Sequence, residues 1–274
     1  MFPHLTDYMK KKFMSIIFII LVIIFSIVII QNWNKLNLSL MLTHWEISLL
    51  LITLAIFFTL TKSLMLYIVG RMYNIKRPFL HFFKVFCTST FIELTTFTGK
   101  IGADGFKYYL WKELSKKKRL RLLIFLRSAD ITGILLLFGF IFLPLNYILI
   151  LIIISLFVIL LINKKKWWKW AGLTLIATIP YIIITASLTL IFNTLGLNIT
   201  KITLTTFLTS HALGAISQLP LGLGAKDFSI FYQLKHLLTK EQIINGLIWA
   251  RFCGEFITVL LGVFFTTIYL KKKK

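Results

Sequence analysis

The sequence predicts an all-α polytopic membrane protein, on three observations. Of its 274 residues 58% are apolar, and they gather in runs of about 20 that match the hydrocarbon thickness of a bilayer. The 31 Lys and Arg against nine Asp and Glu give a net charge of +22. The basic residues fall in short clusters between the apolar runs, at Lys10 to Lys12, Lys116 to Arg121, Lys164 to Lys169 and Lys271 to Lys274. Two further apolar stretches are broken near their middles by Gly, Pro and charge. Together these predict about six full spans plus two re-entrant helical hairpins, in a single integral membrane domain over residues 1–274.

The first span is Phe13 to Ile30, too long for a signal-peptide core and followed by no small-x-small cleavage site. The second is Ile47 to Tyr67. The first broken stretch, His81 to Trp111, follows it, then Leu122 to Leu143, Leu145 to Ile162 and Ala171 to Phe192. A second broken stretch, Ile202 to Leu238, precedes the last span, Ile243 to Leu270. Trp167, Trp168 and Trp170, mixed with lysines, mark an aromatic belt at one interface.

Charge orients these elements. With the N-terminal lysines in the cytoplasm, span two returns Arg71, Lys76 and Arg77 to the inside. His81 to Trp111 then lies between cytoplasmic basic residues at both ends and dips in as a hairpin. The turn at Pro144 to Asn146 is outside, Lys164 to Lys169 inside, and Ile202 to Leu238 enters from outside. The final span delivers Lys271 to Lys274 inward, so both termini are cytoplasmic in a multi-pass protein of the cell membrane. Span, span, hairpin, charged span then occurs twice with reversed direction, an inverted repeat with halves at about residues 13–143 and 145–270. Gly102 to Gly224 is 122 residues and Arg127 to Arg251 is 124. Inverted repeats with broken helices place substrates near the midplane between the halves.

Charged side chains in apolar helices carry the functional signal. Arg127 and Asp130 are spaced i, i+3, and Arg251 and Glu255 i, i+4, so each pair shares a helix face. A charge at the bilayer centre costs about 3 kcal/mol on insertion scales, so these faces point into the bundle or a wet cavity. One reading is a structural ion pair tying hairpin to helix; the other makes the arginines ligands for a lipid phosphate, which suits the guanidinium fork. In the hairpins, Gly99, Gly102 and Gly105, then Gly222 and Gly224 after Pro220, free the backbone for tight turns, with Lys100, Lys107 and Lys226 beside them. Backbone N–H groups and a restarting helix there suit an anion; close packing and snorkelling lysines are the plainer alternative. Asp104 and Asp227 follow the glycine runs, and Glu93 precedes Thr95, Thr96 and Thr98 in the first limb. Asp130, Glu255, Asp104, Asp227 and Glu93 are thus the candidates for ion pairing or ion coupling. His211, beside Ser210, reads as a packing residue; His4, His44, His81 and His236 sit near element ends and carry no signal.

Several classes are excluded. The basic clusters follow membrane topology rather than forming a nucleic-acid face. Neither glycine stretch has the spacing of a nucleotide loop. Cys87 and Cys253 are distant and lack CxxC or His-rich neighbours, so they read as buried hydrophobes rather than a disulfide or metal site. No cofactor or metal is expected, and no catalytic constellation stands out.

Pro220, Gly222, Gly224, Ala225, Lys226 and Asp227 resemble the Pro-x-Gly-x-Gly-Val-Arg-Glu pattern of the lysylphosphatidylglycerol synthase transmembrane region, a flippase-like family, with conservative departures at the last three positions. Gly99 through Lys107 is similar to a Gly-Gly-Asp-Gly variant of its first hairpin, and Arg127 with Asp130 fits its Arg-containing helix. In that family the synthase chemistry belongs to a separate soluble domain, which this chain is expected to lack. The resemblance implies a translocase moving an anionic phospholipid or a polyprenyl-phosphate-linked headgroup, with Arg127, Arg251, Lys100, Lys226, Gly102, Gly105, Gly222 and Gly224 around the headgroup. The alternatives are a membrane-embedded accessory subunit, partnered with a lipid-modifying enzyme, or a transferase acting on a polyprenyl or phosphatidylglycerol lipid. The external loop Gln31 to Glu46 offers a transferase one carboxylate and no acidic pair.

Overall fold

The computed structural model describes residues 42–95, 99–142, 167–216 and 225–271. The chain divides into two compact units, Met1–Trp45 and Glu46–Lys274, and the described residues lie almost wholly in the second. The spans expected at Phe13 to Ile30 and Leu145 to Ile162, the turn at Pro144 to Asn146, and Pro220, Gly222 and Gly224 lie outside the described residues.

Nine helices make up the described residues: α1 (Trp45–Met72), α2 (Phe79–Thr95), α3 (Lys100–Leu110), α4 (Lys116–Phe142), α5 (Trp167–Thr194), α6 (Lys201–Ile216), α7 (Ala225–Leu234), α8 (Lys240–Gly254) and α9 (Phe256–Lys271). Three are long and apolar enough to cross a membrane, α1, α4 and α5, each overlapping an expected span. Their polarity is inside out. On α1, Thr59 and Ser63 are buried while Phe57 and Leu64 face outward, and on α4 Ile124, Ile131 and Leu135 are exposed around a buried Ala129. In water that arrangement hides the wrong residues, whereas lipid solvates the outer apolar face and the hydroxyls find partners within. Thr59 and Ser63 donate to the carbonyls four residues back, at 2.8 and 2.7 Å, and Thr59 also meets Thr258 of α9 at 2.7 Å. These features are those of a helical membrane protein.

Each broken stretch gives two helices among the described residues. The first becomes α2 and α3, which pack on each other across a short link; Gly99 precedes α3 with φ 51°, a left-handed conformation that glycine adopts without steric cost. The second becomes α6 and α7, also packed together. Gly102 and Gly105, however, lie inside α3 rather than in a turn. A single left-handed residue at 99 is enough to restart the helix, and Gly102 falls in its first turn, where N–H groups have no partner in the helix. The N–H of Gly105 is beyond that turn and committed to the helix.

The last span departs from expectation. It is two helices, α8 and α9, meeting at 41° around Glu255. Gly254 weakens the helix there, and Glu255 is held by side-chain partners on both sides. The start of α8 is fixed by a capping box between Thr239 and Gln242, and the Gln242 amide reaches the Leu195 carbonyl at the end of α5, 2.9 Å away.

The helices interlock at small residues. Met65, Leu66, Val69, Phe82, Val85, Leu122, Phe125, Ala129, Leu173 and Ala177 form one buried cluster across α1, α2, α4 and α5. α9 lies along α2 and α4 along α5. Gly133 lets α4 touch the α5 backbone: a methyl there would stand 2.7 Å from the Ala177 carbonyl oxygen, and Gly262 meets the Cys87 carbonyl in the same way. Cys87 and Cys253 are free and buried, as expected. Gly133→Ala is therefore expected to cost about 1–3 kcal/mol through overpacking. Gly105→Ala, with nothing within 4 Å of the new methyl, should be neutral or stabilise α3 by about 0.5–1 kcal/mol. Melting temperatures of the two variants in one detergent check the contrast.

Candidate functional site

Two charged clusters form where α3 and α7, the helices that restart after the breaks, meet the next helix. In the first, Asp104 of α3 faces Arg127 of α4, whose Nε and Nη2 donate to its Oδ2 at 2.9 and 2.8 Å. Lys107, one turn further along α3, approaches the other oxygen at 3.3 Å. Asp130 does not pair with Arg127. It takes the ammonium of Lys62 from α1 at 2.5 Å, and Lys62 also lies 4.7 Å from the centre of the Tyr181 ring on α5, its nitrogen 3.5 Å from the phenol oxygen. The expected i, i+3 pair thus gives way to two tertiary pairs. Asp104 presents its carboxylate across the helix interface to the guanidinium fork, while the short Asp130 side chain faces a lysine on another helix.

In the second cluster the expected i, i+4 pair is present. Arg251 Nη1 donates to Oε1 and Oε2 of Glu255 at 2.7 and 2.5 Å, while its Nη2 donates to Asp227 Oδ2 of α7 at 2.7 Å. Lys226 Nζ approaches Glu255 Oε1 at 3.4 Å. The two clusters share one contact: an arginine bonds an aspartate on the preceding short helix, 23 residues back for Arg127 and 24 for Arg251.

Lys100 links the two hairpins. It opens α3, is 8% exposed, and donates from Nζ to the carbonyl oxygen of Gly214 near the end of α6. Lys62, Lys107, Arg127, Lys226 and Arg251 all reach carboxylates. Lys100 forms no ion pair among the described residues. Glu93, half-buried on α2, and Asp130 act on Lys100 electrostatically without an ion pair to it. The joint between hairpins therefore holds a buried ammonium satisfied by a neutral acceptor, which costs several kcal/mol unless an anion offsets it.

His211, on α6, sits beside this joint within electrostatic range of Lys226, Arg251, Lys100 and Lys62. It is 7% exposed. Its neighbour Ser210 belongs to a chain of hydroxyls and amide, donating to Ser229 at 2.9 Å, with Gln233 donating to the same Ser229 oxygen at 2.8 Å. Of the proposed headgroup residues, the structure brings Lys100, Arg127, Lys226 and Arg251 to these clusters, with Gly102 in the first turn of α3 and Gly105 further along. Spacing arguments missed Lys62 and Tyr181. A lone lysine within the Ile47 to Tyr67 run is itself a signal. No group of three His, Cys, Asp or Glu among the described residues could hold a metal.

The chain matches no known protein-family model. No curated protein matches it either.

Proposed function

We propose that this chain is a lipid translocase, in which Lys100, Arg127, Lys226 and Arg251 attract the phosphate of an anionic phospholipid or polyprenyl-linked lipid while its chains stay in the bilayer. One observation carries the reading: Lys100, buried between the two hairpins, has a carbonyl for a partner where every other cation around it has a carboxylate. An anionic headgroup supplies the direct counter-charge that Glu93 and Asp130, which form no ion pair with Lys100, do not. A polar path of this kind lowers the barrier to carrying a charge through hydrocarbon. The proposal includes the inverted repeat, with cytoplasmic termini, one hairpin entering from each face, and alternating access by rocking of the halves. The recurring arginine to aspartate contact supports it, as does the packing of α9 on α2 and of α4 on α6, which correspond under the repeat.

Arg127→Gln tests the proposal, because Lys107 remains to hold Asp104 and the fold is preserved. In proteoliposomes the variant should slow headgroup movement of phosphatidylglycerol about tenfold or more, the worth of one charge-assisted contact. Unchanged rates sink the proposal. The accessory-subunit reading draws on the carboxylates that already occupy both arginines. It predicts hairpins sealed against water, so labelling of single cysteines placed along α3 and α7 separates the two.

A further inference from the structure

Two polar atoms of the second hairpin have no hydrogen-bond partner among the described residues although both are buried: His211 Nε2 and Asp227 Oδ1. They differ from the other buried atoms in the same condition, the hydroxyls of Thr88, Thr174, Thr185 and Thr189 and the indole N–H of Trp111, in their place: Asp227 bonds Arg251 in the second cluster, and His211 lies one turn before Gly214, whose carbonyl holds Lys100. Asp227 spends its other oxygen on Arg251, and Arg251 in turn lies within electrostatic range of His211. A buried imidazole nitrogen and a buried carboxylate oxygen are costly to leave unpaired, so atoms of this kind await a ligand that completes both. Their chemistry is complementary. An imidazole within electrostatic range of Lys62, Lys100, Lys226 and Arg251, in the tautomer that carries its proton on Nε2, donates to an anionic oxygen, whereas a carboxylate oxygen accepts only from a donor.

We propose that His211 Nε2 and Asp227 Oδ1 are the selective contacts of the headgroup site, and that the ligand they select is a phosphoester carrying its own hydrogen-bond donor, a hydroxyl or an ammonium group. The inference rests on the translocase reading above and narrows it. His211 donates to a non-bridging phosphate oxygen whose charge is met by Lys100. Asp227 accepts from the hydroxyl or ammonium group beyond the phosphate, while its Oδ2 stays on Arg251. A plain phosphodiester without a donor satisfies the cations and leaves Asp227 Oδ1 unpaired. The site therefore discriminates by desolvation of a carboxylate, a strong filter against ligands lacking the donor.

The probes are phosphatidylglycerol and phosphatidylmethanol, which share chains and a single negative charge and differ in the hydroxyls. Binding to the purified full chain in detergent should favour phosphatidylglycerol by about tenfold, the cost of one unpaired buried acceptor. Asp227→Ala should bring the two lipids to within about twofold, because the acceptor that tells them apart is lost; Arg251 loses its Asp227 partner as well and is held by Glu255, which affects both lipids alike. His211→Leu should weaken both lipids alike by about tenfold, and His211→Gln, which restores an N–H near the same place, should recover most of that loss. Equal binding of the two lipids by the wild type, or wild-type binding by His211→Leu, overturns the inference. If His211→Leu does not fold, the lipid ratio in the wild type and in Asp227→Ala decides. Lys100→Met separates this from the parent reading. If it binds both lipids as the wild type does, the site itself is wrong; if it loses both while His211→Leu changes nothing, the site stands and the selectivity contacts fall. Displacement of phosphatidylglycerol by sn-glycerol 1-phosphate assigns the site to a free phosphoester, and its failure to displace assigns it to the lipid.

Discussion

Lys100→Met yields a protein that is more stable and does not translocate. The ammonium is buried at the joint of the two hairpins with a carbonyl as its partner. Methionine has nearly the same length and reach, so the change removes a desolvated charge and leaves packing in place. Replacing a buried ion pair by apolar side chains of similar volume often stabilises by about 1–4 kcal/mol, and a buried charge with no ion pair carries a desolvation cost with less to offset it. The Gly214 carbonyl loses a donor, which offsets about 1 kcal/mol of that gain. A rise in melting temperature together with at least tenfold weaker binding of phosphatidylglycerol is the expected outcome. The opposite pair of results, a less stable protein with normal binding, would make Lys100 a structural tie between hairpins and nothing more.

The second large effect is at Arg251, whose guanidinium lies between Asp227 and Glu255. Arg251→Gln leaves two carboxylates in one partly buried pocket with only Lys226 to offset them, and Lys226 is already 3.4 Å from Glu255. Breaking such a pair from one side costs about 3–5 kcal/mol when the remaining charge is buried. Asp227 and Glu255 are about a quarter exposed, so the lower end applies, near 3 kcal/mol. Asp227→Asn in the same chain should return at least half of the loss by removing one of the two stranded charges. Loss of the monodisperse fraction on heating measures both steps, and an Arg251→Gln variant as stable as the wild type would show that the three side chains are not energetically coupled. Arg127→Gln should cost much less, since Lys107 remains beside Asp104 and Asp130 has Lys62.

The long apolar helices, the breaks near Gly99 and between α6 and α7, and the Arg251 to Glu255 pair are all legible in the sequence, because each depends on residues within a turn or two. Hydropathy, a glycine able to take positive φ, and i, i+4 spacing are local properties. The partner of Asp130 is not local. It sits 68 residues away on α1, and nothing in helix spacing distinguishes it from the arginine one turn earlier. Likewise Arg127 chooses Asp104 because packing of α3 on α4 puts a carboxylate across the interface, a fact of tertiary arrangement. His211 shows the limit most clearly. Its neighbour Ser210 suggests a satisfied packing residue, yet that hydroxyl bonds to the Thr206 carbonyl and to Ser229, leaving the imidazole Nε2 unused. The bend at Glu255 is missed because an apolar window of this length reads as one continuous span.

The link between the hairpins is asymmetric in how it is encoded. Its donor is a side chain, Lys100, and its acceptor is the backbone of Gly214. Any amino acid at position 214 still offers a carbonyl, whereas almost any change at position 100 deletes the ammonium. Genetic variation can therefore break this joint from one side only, and a saturation scan for loss of activity would register position 100 sharply while seeing position 214 through backbone shape alone.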